Sequence, residues 1–270
     1  MEHEARRIEE EVLAGGNVNA VTRVGDTVRR QPSGNSLVYP LLKALQERGF
    51  EGAPAFLGTD EAGRDIFRFL PGEVPGNDYP DNPPYMWTDG ALAGMARLLR
   101  QYHDATERLA TQQPERPSHY LSPWRNEVIC HNDAAPYNFV FRQGEPIALI
   151  DFDMAAPGPR VWDIAYALYT AVPLAGFQPL CHSTGTIPYD ERLHSQDRRR
   201  RVALFFESYG MPMPDGFEMA IAQRVLALCD TLRERATAGE AAFVKMVQEG
   251  HLAHYERELV FLHARLNEWV

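Results

Sequence analysis

Hydrophobic positions in the first 70 residues come in short runs separated by turns that contain glycine. Val18 to Val24 and Thr27 to Arg30 flank Gly25-Asp26, a pair typical of a tight turn between antiparallel strands. Residues 55–58 and 65–70 predict two more strands, because they are rich in aromatic and branched side chains. With one further strand at the N-terminal edge, the pattern predicts an antiparallel sheet of about five strands.

A single helix is predicted between these strands, from Leu37 to Arg48. Leucines recur there at helical spacing, and Gly49 is placed to end the helix. Residues 71–86 are dense in Pro, Gly, Asn and Asp, which favours an irregular connection. We therefore expect an N-terminal lobe at residues 1–70, a linker at 71–86 and a second lobe at 87–270.

The second lobe is predicted to be larger and mainly helical. Helical periodicity runs from Trp87 to Ala110 and returns near the C-terminus; the C-terminal helices are expected at 220–235, 241–250 and 253–269. Residues 139–141 and 148–150 are apolar runs around Gln143-Gly144, a hairpin pattern. Residues 172–200, with three prolines, are interpreted as a loop leading into a helix. The predicted fold class is α+β.

Charge narrows the range of partners. The 270 residues carry a formal net charge of -10, whereas nucleic acids and anionic membranes usually require a basic face. An acidic surface favours small cationic partners. The N-terminus is charged, and no stretch approaches the roughly 20 apolar residues of a membrane span. The three cysteines, Cys130, Cys181 and Cys229, are far apart. We expect a cytoplasmic monomer or homodimer, without a disulfide framework, that binds neither nucleic acid nor membrane.

The strongest chemical pattern is the octet from His131 to Asn138, which precedes Asp151-Phe152-Asp153. Asp133 has His two residues before it and Asn five residues after it, and Asp151 follows that Asn by thirteen residues. Phosphoryl transfer to a hydroxyl needs one carboxylate to align the acceptor and take its proton. It also needs an amide and a second carboxylate to hold magnesium. The octet therefore indicates a kinase.

The two motifs together resemble the aminoglycoside phosphotransferase and choline kinase family. HNDAAPYN matches its catalytic loop H-x-D-x-x-x-x-N, and LIDFDMAAPGPRVWDIA contains its metal strand I-D-[WF]-[ED]. The resemblance implies a two-lobed protein-kinase-like fold with nucleotide in the cleft between the lobes. It also implies ATP or GTP as the phosphoryl donor and Mg²⁺ as the cofactor.

Three residues acquire chemical roles from this match. Asp133 corresponds to the catalytic base, whose carboxylate orients the acceptor hydroxyl. Asn138 supplies a neutral oxygen to magnesium, and Asp151, at the end of an apolar run, supplies the metal carboxylate. A turn Asn and a solvated Asp are the structural alternatives.

The resemblance implies supporting roles for three more residues. His131 belongs to the catalytic loop, and we expect it to hold that loop by hydrogen bonds rather than carry a proton. Asp153 has three open roles: binding metal, lining the acceptor side of the cleft, or holding the loop. Asp163, in Trp162-Asp163-Ile164-Ala165, matches a position that braces the catalytic loop.

The residues expected to bind the nucleotide phosphates depart from the family pattern. Aligning residues 27–30 with the V-A-I-K strand places Arg30 where the phosphate-binding Lys would stand, with Arg29 as the reserve candidate. Arginine can bind phosphate oxygens bidentately and keeps its charge. The helix that should carry the partner Glu has only Glu47, at its far end, and Tyr39 and Pro40 occupy the nearer part. The customary Lys-Glu pair is therefore expected to be absent.

Two further segments are candidates for contacts with the nucleotide. Phe69 and Leu70 lie in the expected hinge, where backbone groups would bind adenine and apolar side chains would cover it. Gly15-Gly16-Asn17 is too short for a G-x-G-x-x-G cover, although its amides could cradle a phosphate. Two adjacent glycines are more often only a turn.

The acceptor remains open at the level of sequence. We expect a small-molecule hydroxyl compound, either aminoglycoside-like or another amine-bearing alcohol. Asp190, Glu191, Asp197 and Asp230 could bind its amine, although each is also an ordinary surface charge. The function would then be phosphorylation that confers antibiotic resistance or immunity. The alternative is a pseudokinase or immunity protein that binds nucleotide or small molecules without transfer.

Overall fold

The N-terminal part of the chain is a five-stranded antiparallel sheet that carries one helix. The structure is a computed structural model, and it describes residues 10–13, 21–76, 82–110, 125–180 and 182–270. The strands are β1 (Glu10–Leu13), β2 (Val21–Val24), β3 (Thr27–Arg30), β4 (Phe56–Thr59) and β5 (Asp65–Arg68), and the helix is α1 (Val38–Glu47). The strand order is β1-β2-β3-β5-β4. The predicted sheet of about five strands with one helix is confirmed.

Turn chemistry and one apolar face explain this sheet. Gly25, with φ of 60°, closes the turn that pairs Val24 with Thr27. Phe67 of β5 is buried against the leucine face of α1, so the helix covers one side of the sheet. Gly49, with φ of 72°, follows the end of that helix as the sequence predicts.

The remainder of the described chain is mainly helical. The helices are α2 (Asp89–Ala110), α3 (Arg160–Ala171), α4 (Glu191–Tyr209), α5 (Phe217–Thr237), α6 (Ala241–Gln248) and α7 (His251–Arg265). The apolar faces of α2, α3, α4, α5 and α7 meet in one core that also includes α1 and Phe67 of the N-terminal sheet. No helix in the described ranges is long and apolar enough to cross a membrane.

Two short antiparallel pairs lie between α2 and α3 in the chain. The strands are β6 (Val128–Cys130), β7 (Phe139–Arg142), β8 (Glu145–Leu149) and β9 (Ala156–Gly158). β7 and β8 form the predicted hairpin, and Gln143 and Gly144 turn it with φ of 53° and 80°. β6 pairs with β9, which brings the ends of the two sequence motifs together.

The prediction for residues 172–200 is only partly right. A two-stranded ribbon, β10 (Phe177–Pro179) with β11 (Thr186–Pro188), lies where a loop was expected, and α4 begins at Glu191. Proline argued against strands because it lacks an N–H group. In a ribbon of two strands each strand has an unpaired edge, so Pro179 and Pro188 cost few hydrogen bonds. The segment Gly15-Gly16-Asn17 lies outside the described residues, as does Cys181.

Backbone hydrogen bonds connect the segment after β5 to the β7–β8 hairpin. Glu73 and Phe141 exchange two of them, each 2.7 Å long, and Arg142 Nη2 donates to the Pro71 carbonyl at 3.0 Å. Gly72 lies between these contacts, and a Cβ there would stand 2.5 Å from both the Phe141 carbonyl oxygen and Val140 Cγ1. The glycine therefore permits a close approach of two backbones. The division of the chain at residues 71–86 stays a prediction.

Replacing Gly72 with alanine should destabilise the protein by about 1–3 kcal/mol, because the added methyl overlaps a hydrogen-bonded carbonyl. Chemical denaturation monitored by circular dichroism measures the change. Gly34→Ala is the matched control, since a Cβ there meets nothing within 4 Å. Equal stability of the two variants would contradict the close approach.

Candidate active site

The loop between β6 and β7 carries the octet from His131 to Asn138. β6 delivers Cys130 to the buried core, and the chain then reverses at Asn132, which has φ of 64°. A short 3₁₀ turn, Pro136–Asn138, leads into β7. Asn tolerates the left-handed conformation better than most residues, yet it remains a strained state that its surroundings must hold.

Asp163 holds this reversal in place from the first turn of α3. Its carboxylate accepts the backbone N–H of His131 at 2.6 Å and that of Asn132 at 2.8 Å. The side chain is fully buried. Burial alone would raise the pKa of Asp163, but hydrogen bonds from the His103 ring and from the His131 backbone lower it below its ordinary value. The carboxylate therefore stays ionised and fixes the loop, as the resemblance implies.

His103 of α2 is the side-chain partner of Asp163. Its Nε2 lies 3.1 Å from the carboxylate, and its Nδ1 lies 2.7 Å from the Tyr209 hydroxyl. Because the carboxylate only accepts, Nε2 carries the hydrogen and Nδ1 accepts from Tyr209. Burial lowers the pKa of His103, so the ring is neutral at neutral pH. His103 is a buried structural residue.

His131 uses both ring nitrogens within the loop. Its Nδ1 accepts the backbone N–H of Asp133 at 3.3 Å, and its Nε2 donates to the Ile150 carbonyl at 2.9 Å. The ring also stacks edge-on against Phe152, with centroids 4.7 Å apart. His131 thus links the catalytic loop to the segment that carries Asp151.

The two oxygens of the Asp133 carboxylate bind different neighbours. Oδ1 accepts from the Tyr137 hydroxyl and Oδ2 from Asn138 Nδ2, both at 2.8 Å. Burial, together with the negative charge of Asp151, raises the pKa of Asp133 to about 6. Such a carboxylate is ionised at neutral pH and accepts a proton more readily than an ordinary Asp.

Asn138, Asp151 and Asp153 present oxygens of the kind that magnesium prefers. Asn138 turns its Nδ2 toward Asp133, which leaves its amide oxygen for a metal. Asp151 has φ of 65°, a strained conformation that projects it from the end of β8. No group of three or more His, Cys, Asp or Glu that could hold a metal occurs in the described ranges. A site here would therefore depend on the Asn oxygen, water and the nucleotide phosphates.

The guanidinium of Arg30, in β3, lies between the carboxylates of Asp151 and Asp153. Its Nη1 lies 3.1 Å from Asp151 Oδ1, and its Nη2 donates to Asp153 Oδ1. The guanidinium shows that the two carboxylates bind a cation between them. The site chemistry thus fits a positive ion, and Arg30 reaches it from the predicted position.

Among the described residues, no glutamate forms an ion pair with Arg30. Glu47 pairs with Lys43 on the exposed side of α1, 3.8 Å apart. Tyr39 instead donates to the buried Asp65 at 2.8 Å. Asn35, just before α1, donates to the Asp153 and Ala155 carbonyls. The N-terminal sheet is therefore attached to the Asp151–Asp153 segment by Arg30 and Asn35.

The other residues predicted to contact the nucleotide are Arg29, Phe69 and Leu70, and they differ in their surroundings. Arg29 points away from the cleft toward Asp60, with 3.7 Å between Nε and Oδ2, so it is not brought to the site. The Phe69 N–H already donates to the Asp26 carbonyl at 2.9 Å, and Arg23 covers its ring at 4.0 Å. Leu70 forms no backbone hydrogen bond with any described residue. Of the two predicted hinge residues, only Leu70 has a backbone N–H group without a hydrogen bond to another described residue.

Sequence reasoning missed a group of side chains next to Asp133. Tyr137 lies 3.0 Å from Tyr166 of α3, measured between the hydroxyls. Arg224 of α5 lies over the Tyr166 ring at 4.4 Å and donates to the Asn132 carbonyl. Tyr255 of α7 also lies near Asp133, whose charge helps to raise the Tyr255 pKa to about 12, after the larger effect of burial. Tyr137 stands within the octet and could have been found; the others come together only in space.

The acidic acceptor candidates already have protein partners. Asp190 caps α4 by accepting the Arg192 N–H, and the other three form ion pairs on the surface. Those pairs are Glu191 with Arg265, Asp197 with Arg200, and Asp230 with Arg233. Among the described residues, none of the four forms a hydrogen bond or an ion pair with Asp133.

The sequence match to known proteins establishes the family. A profile described as the phosphotransferase enzyme family matches residues 12–205, and the chain belongs to that family. The trifolitoxin immunity protein of Rhizobium leguminosarum bv. trifolii is 31% identical over 212 residues, which cover 74% of this chain and 73% of that protein. The sequence-based recognition of the family is therefore confirmed.

Solved structures establish the kinase-like fold. A choline/ethanolamine kinase family protein from Mesorhizobium loti has a TM-score of 0.55 at 14% identity, covering 96% of this chain and 94% of its own. The GDP complex of aminoglycoside 2'-phosphotransferase-IIIa has a TM-score of 0.56 at 15% identity, covering 93% and 92%. The predicted two-lobed fold is confirmed.

Asp163→Asn should lower the free energy of unfolding by about 3 kcal/mol, because one amide oxygen cannot replace an ionised acceptor for two buried N–H groups. Urea denaturation at neutral pH measures the loss. Asp230→Asn, which removes a surface ion pair, is the control and should cost under about 1 kcal/mol. A loss for Asp163→Asn no larger than the control's would contradict the bracing role.

Acid should destabilise the fold through His103. Its folded pKa is depressed, so below about pH 6.5 the unfolded chain binds a proton that the native state excludes. The free energy of unfolding therefore decreases as the pH is lowered through this window. His103 contributes at most about 1.4 kcal/mol per pH unit to that decrease. The pKa of Asp163 is also lowered, so protonation of its carboxylate reduces the stability of the fold only at lower pH. His103→Gln should remove part of the slope, whereas the exposed His263→Gln should not. If the free energy of unfolding had the same dependence on pH in His103→Gln and in wild type, the role assigned to His103 would be contradicted.

Proposed function

We propose that this protein transfers the γ-phosphoryl group of ATP or GTP to a hydroxyl of a small molecule in the cytoplasm. The observation that carries the proposal is the Asp133 carboxylate, half-buried beside Asn138 and close to Asp151. Membership of the phosphotransferase family makes phosphoryl transfer the natural chemistry for this cluster.

Asp133 acts as the base. Its carboxylate aligns the acceptor hydroxyl, and Tyr137 and Asn138 keep it in one orientation. A pKa of about 6 leaves it ionised at neutral pH and suited to taking the hydroxyl proton as the oxygen attacks. His131 holds the backbone of the same loop and needs no proton transfer of its own.

Asn138 and Asp151 would hold Mg²⁺, with Asp153 as a third candidate. When bound, the ion would neutralise charge on the nucleotide phosphates. The residues present fit this role because they combine an amide oxygen with two carboxylates that already attract a guanidinium.

Arg30 would bind the nucleotide phosphates, and Leu70 would offer its backbone to the base. Arg30 must exchange at least part of its contact with Asp151 and Asp153 for phosphate oxygens, because those carboxylates are also the metal ligands. Nucleotide and metal thus replace an internal ion pair. We expect binding of the two to be mutually dependent.

The acceptor is expected to be a small hydroxyl compound, in line with the aminoglycoside and choline-type phosphotransferases that share the fold. An amine-bearing acceptor and a role in antibiotic resistance belong to the same proposal. The likeness to an immunity protein supports a protective function of this kind.

A second candidate is an immunity protein that binds a small molecule or nucleotide without transferring phosphate. Two observations favour it. The relative at 31% identity is named for immunity rather than for an enzymatic activity. In addition, Arg30 lies between Asp151 and Asp153, and no glutamate in the described part of the chain pairs with it.

Asp133→Asn should reduce phosphoryl transfer at least about 100-fold and leave nucleotide affinity close to that of the wild type, because the amide cannot accept the proton. Transfer is measured with labelled ATP or GTP, Mg²⁺ and a panel of hydroxyl compounds. Affinity is measured by calorimetry.

Asp215→Asn is the matched control, since Asp215 is an exposed loop carboxylate. Transfer by Asp133→Asn at the wild-type rate would reject Asp133 as the base. Tight nucleotide binding by the wild type, without transfer to any compound, would instead favour the immunity protein without catalysis.

A further inference from the structure

The Asp133 carboxylate has two chemically different sides. Oδ2 faces Asn138 and therefore the nucleotide and metal side. Oδ1 faces Tyr137, whose hydroxyl lies next to that of Tyr166. The acceptor hydroxyl must approach Asp133 without displacing the nucleotide, so the tyrosine side is the acceptor side.

Arg224 lies on this tyrosine side. Its guanidinium carbon is 4.4 Å from the centre of the Tyr166 ring and 5.7 Å from that of Trp162. Its Nη2 donates to the carbonyl of Asn132, the residue just before Asp133. A cation is therefore built into the wall of the acceptor site.

This cation is buried, and the negative charge with which it interacts, that of Asp133, is not in direct contact with it. Arg224 is 7% exposed, its Nε has no hydrogen-bond partner, and no carboxylate of the described residues lies within 4 Å of it. Arg198, which is also buried, has its donors covered by the Ala175 and Phe177 carbonyls. A buried charge left with unused donors is costly unless a ligand offsets it.

The tyrosines do not supply the missing negative charge. Burial raises the pKa of Tyr166 well above the ordinary value of a phenol, and it raises that of Tyr255 to about 12. Phenol hydroxyls ordinarily ionise only at about pH 10, so these groups are neutral at physiological pH. They can bind an acceptor by hydrogen bonds, but they give Arg224 no carboxylate as a direct hydrogen-bond partner.

We propose that Arg224 binds a carboxylate of the acceptor, so that the substrate is a hydroxy acid whose carboxylate lies close to the phosphorylated hydroxyl. The inference rests on the proposed role of Asp133 as base. Arginine suits this task because its fork of donors matches the two oxygens of a carboxylate. An amine elsewhere on the acceptor is compatible with the site.

The reaction balances without another co-reactant. The acceptor oxygen forms a bond to the γ-phosphorus as the bond from that phosphorus to the β–γ bridging oxygen breaks. The nucleoside diphosphate leaves with that electron pair, and the hydroxyl proton passes to Asp133. Arg224 keeps the acceptor carboxylate in place and takes no part in bond making.

The test is direct binding to the full chain, which does not depend on turnover. Glycerate, lactate and serine are each compared with the corresponding amide by calorimetry, using wild type, Arg224→Gln, Arg224→Lys and Arg233→Gln. At least one acid should bind wild type about tenfold or more tightly than its amide, because the amide removes the charge that Arg224 would meet. Arg224→Gln should lose this preference and Arg224→Lys should keep part of it. Arg233→Gln is the control, since Arg233 is an exposed residue of the same helix.

Equal binding of acids and amides by wild type, or no binding of any acid, would overturn the proposal. So would an undiminished preference in Arg224→Gln that still binds nucleotide normally. If Arg224→Gln does not fold, Arg224→Lys and the wild-type comparison decide the question. Acid preference without phosphoryl transfer would count against the proposed function and leave the carboxylate site standing.

Discussion

The buried carboxylate of Asp163 is the constraint on which the candidate site depends. It binds two consecutive backbone N–H groups of the catalytic loop, from His131 and Asn132, and the ring of His103. Three elements, α2, α3 and the loop after β6, therefore meet at one charge. Asn132 can hold its left-handed conformation because these bonds offset the strain. The position of Asp133 follows directly, since it is the next residue.

A second charge interaction joins the N-terminal sheet to this framework. In many kinases a lysine is held by a glutamate, whereas here Arg30 binds the carboxylates of Asp151 and Asp153 directly. The same groups are the candidate metal ligands, so under the proposed function nucleotide and metal would replace the Arg30 guanidinium there. Asp133 is also influenced by charges of opposite sign, those of Asp151 and Arg224.

Much of the fold could be predicted because its signals are local. The Gly25 turn and the Gln143-Gly144 hairpin depend on residues that adopt positive φ, and α1 depends on leucine spacing. The ribbon of β10 and β11 could not be predicted, because the prolines that argue against a strand are harmless in a two-stranded ribbon. The short β6–β9 pair was missed for another reason: its partners lie far apart in the sequence, and Pro157 interrupts one of them.

The sequence by itself determined the catalytic octet, the acidic pair after it, the family and the kinase-like fold. These features are recognisable because their spacing is fixed along one continuous stretch of chain. Only the tertiary structure decided that Arg30 rather than Arg29 reaches the cleft, and that the acidic acceptor candidates are paired elsewhere. It alone brought Tyr166, Arg224 and Tyr255 to Asp133 from three separate helices. Contacts between distant segments arise from helix packing, and no local pattern of residues encodes them.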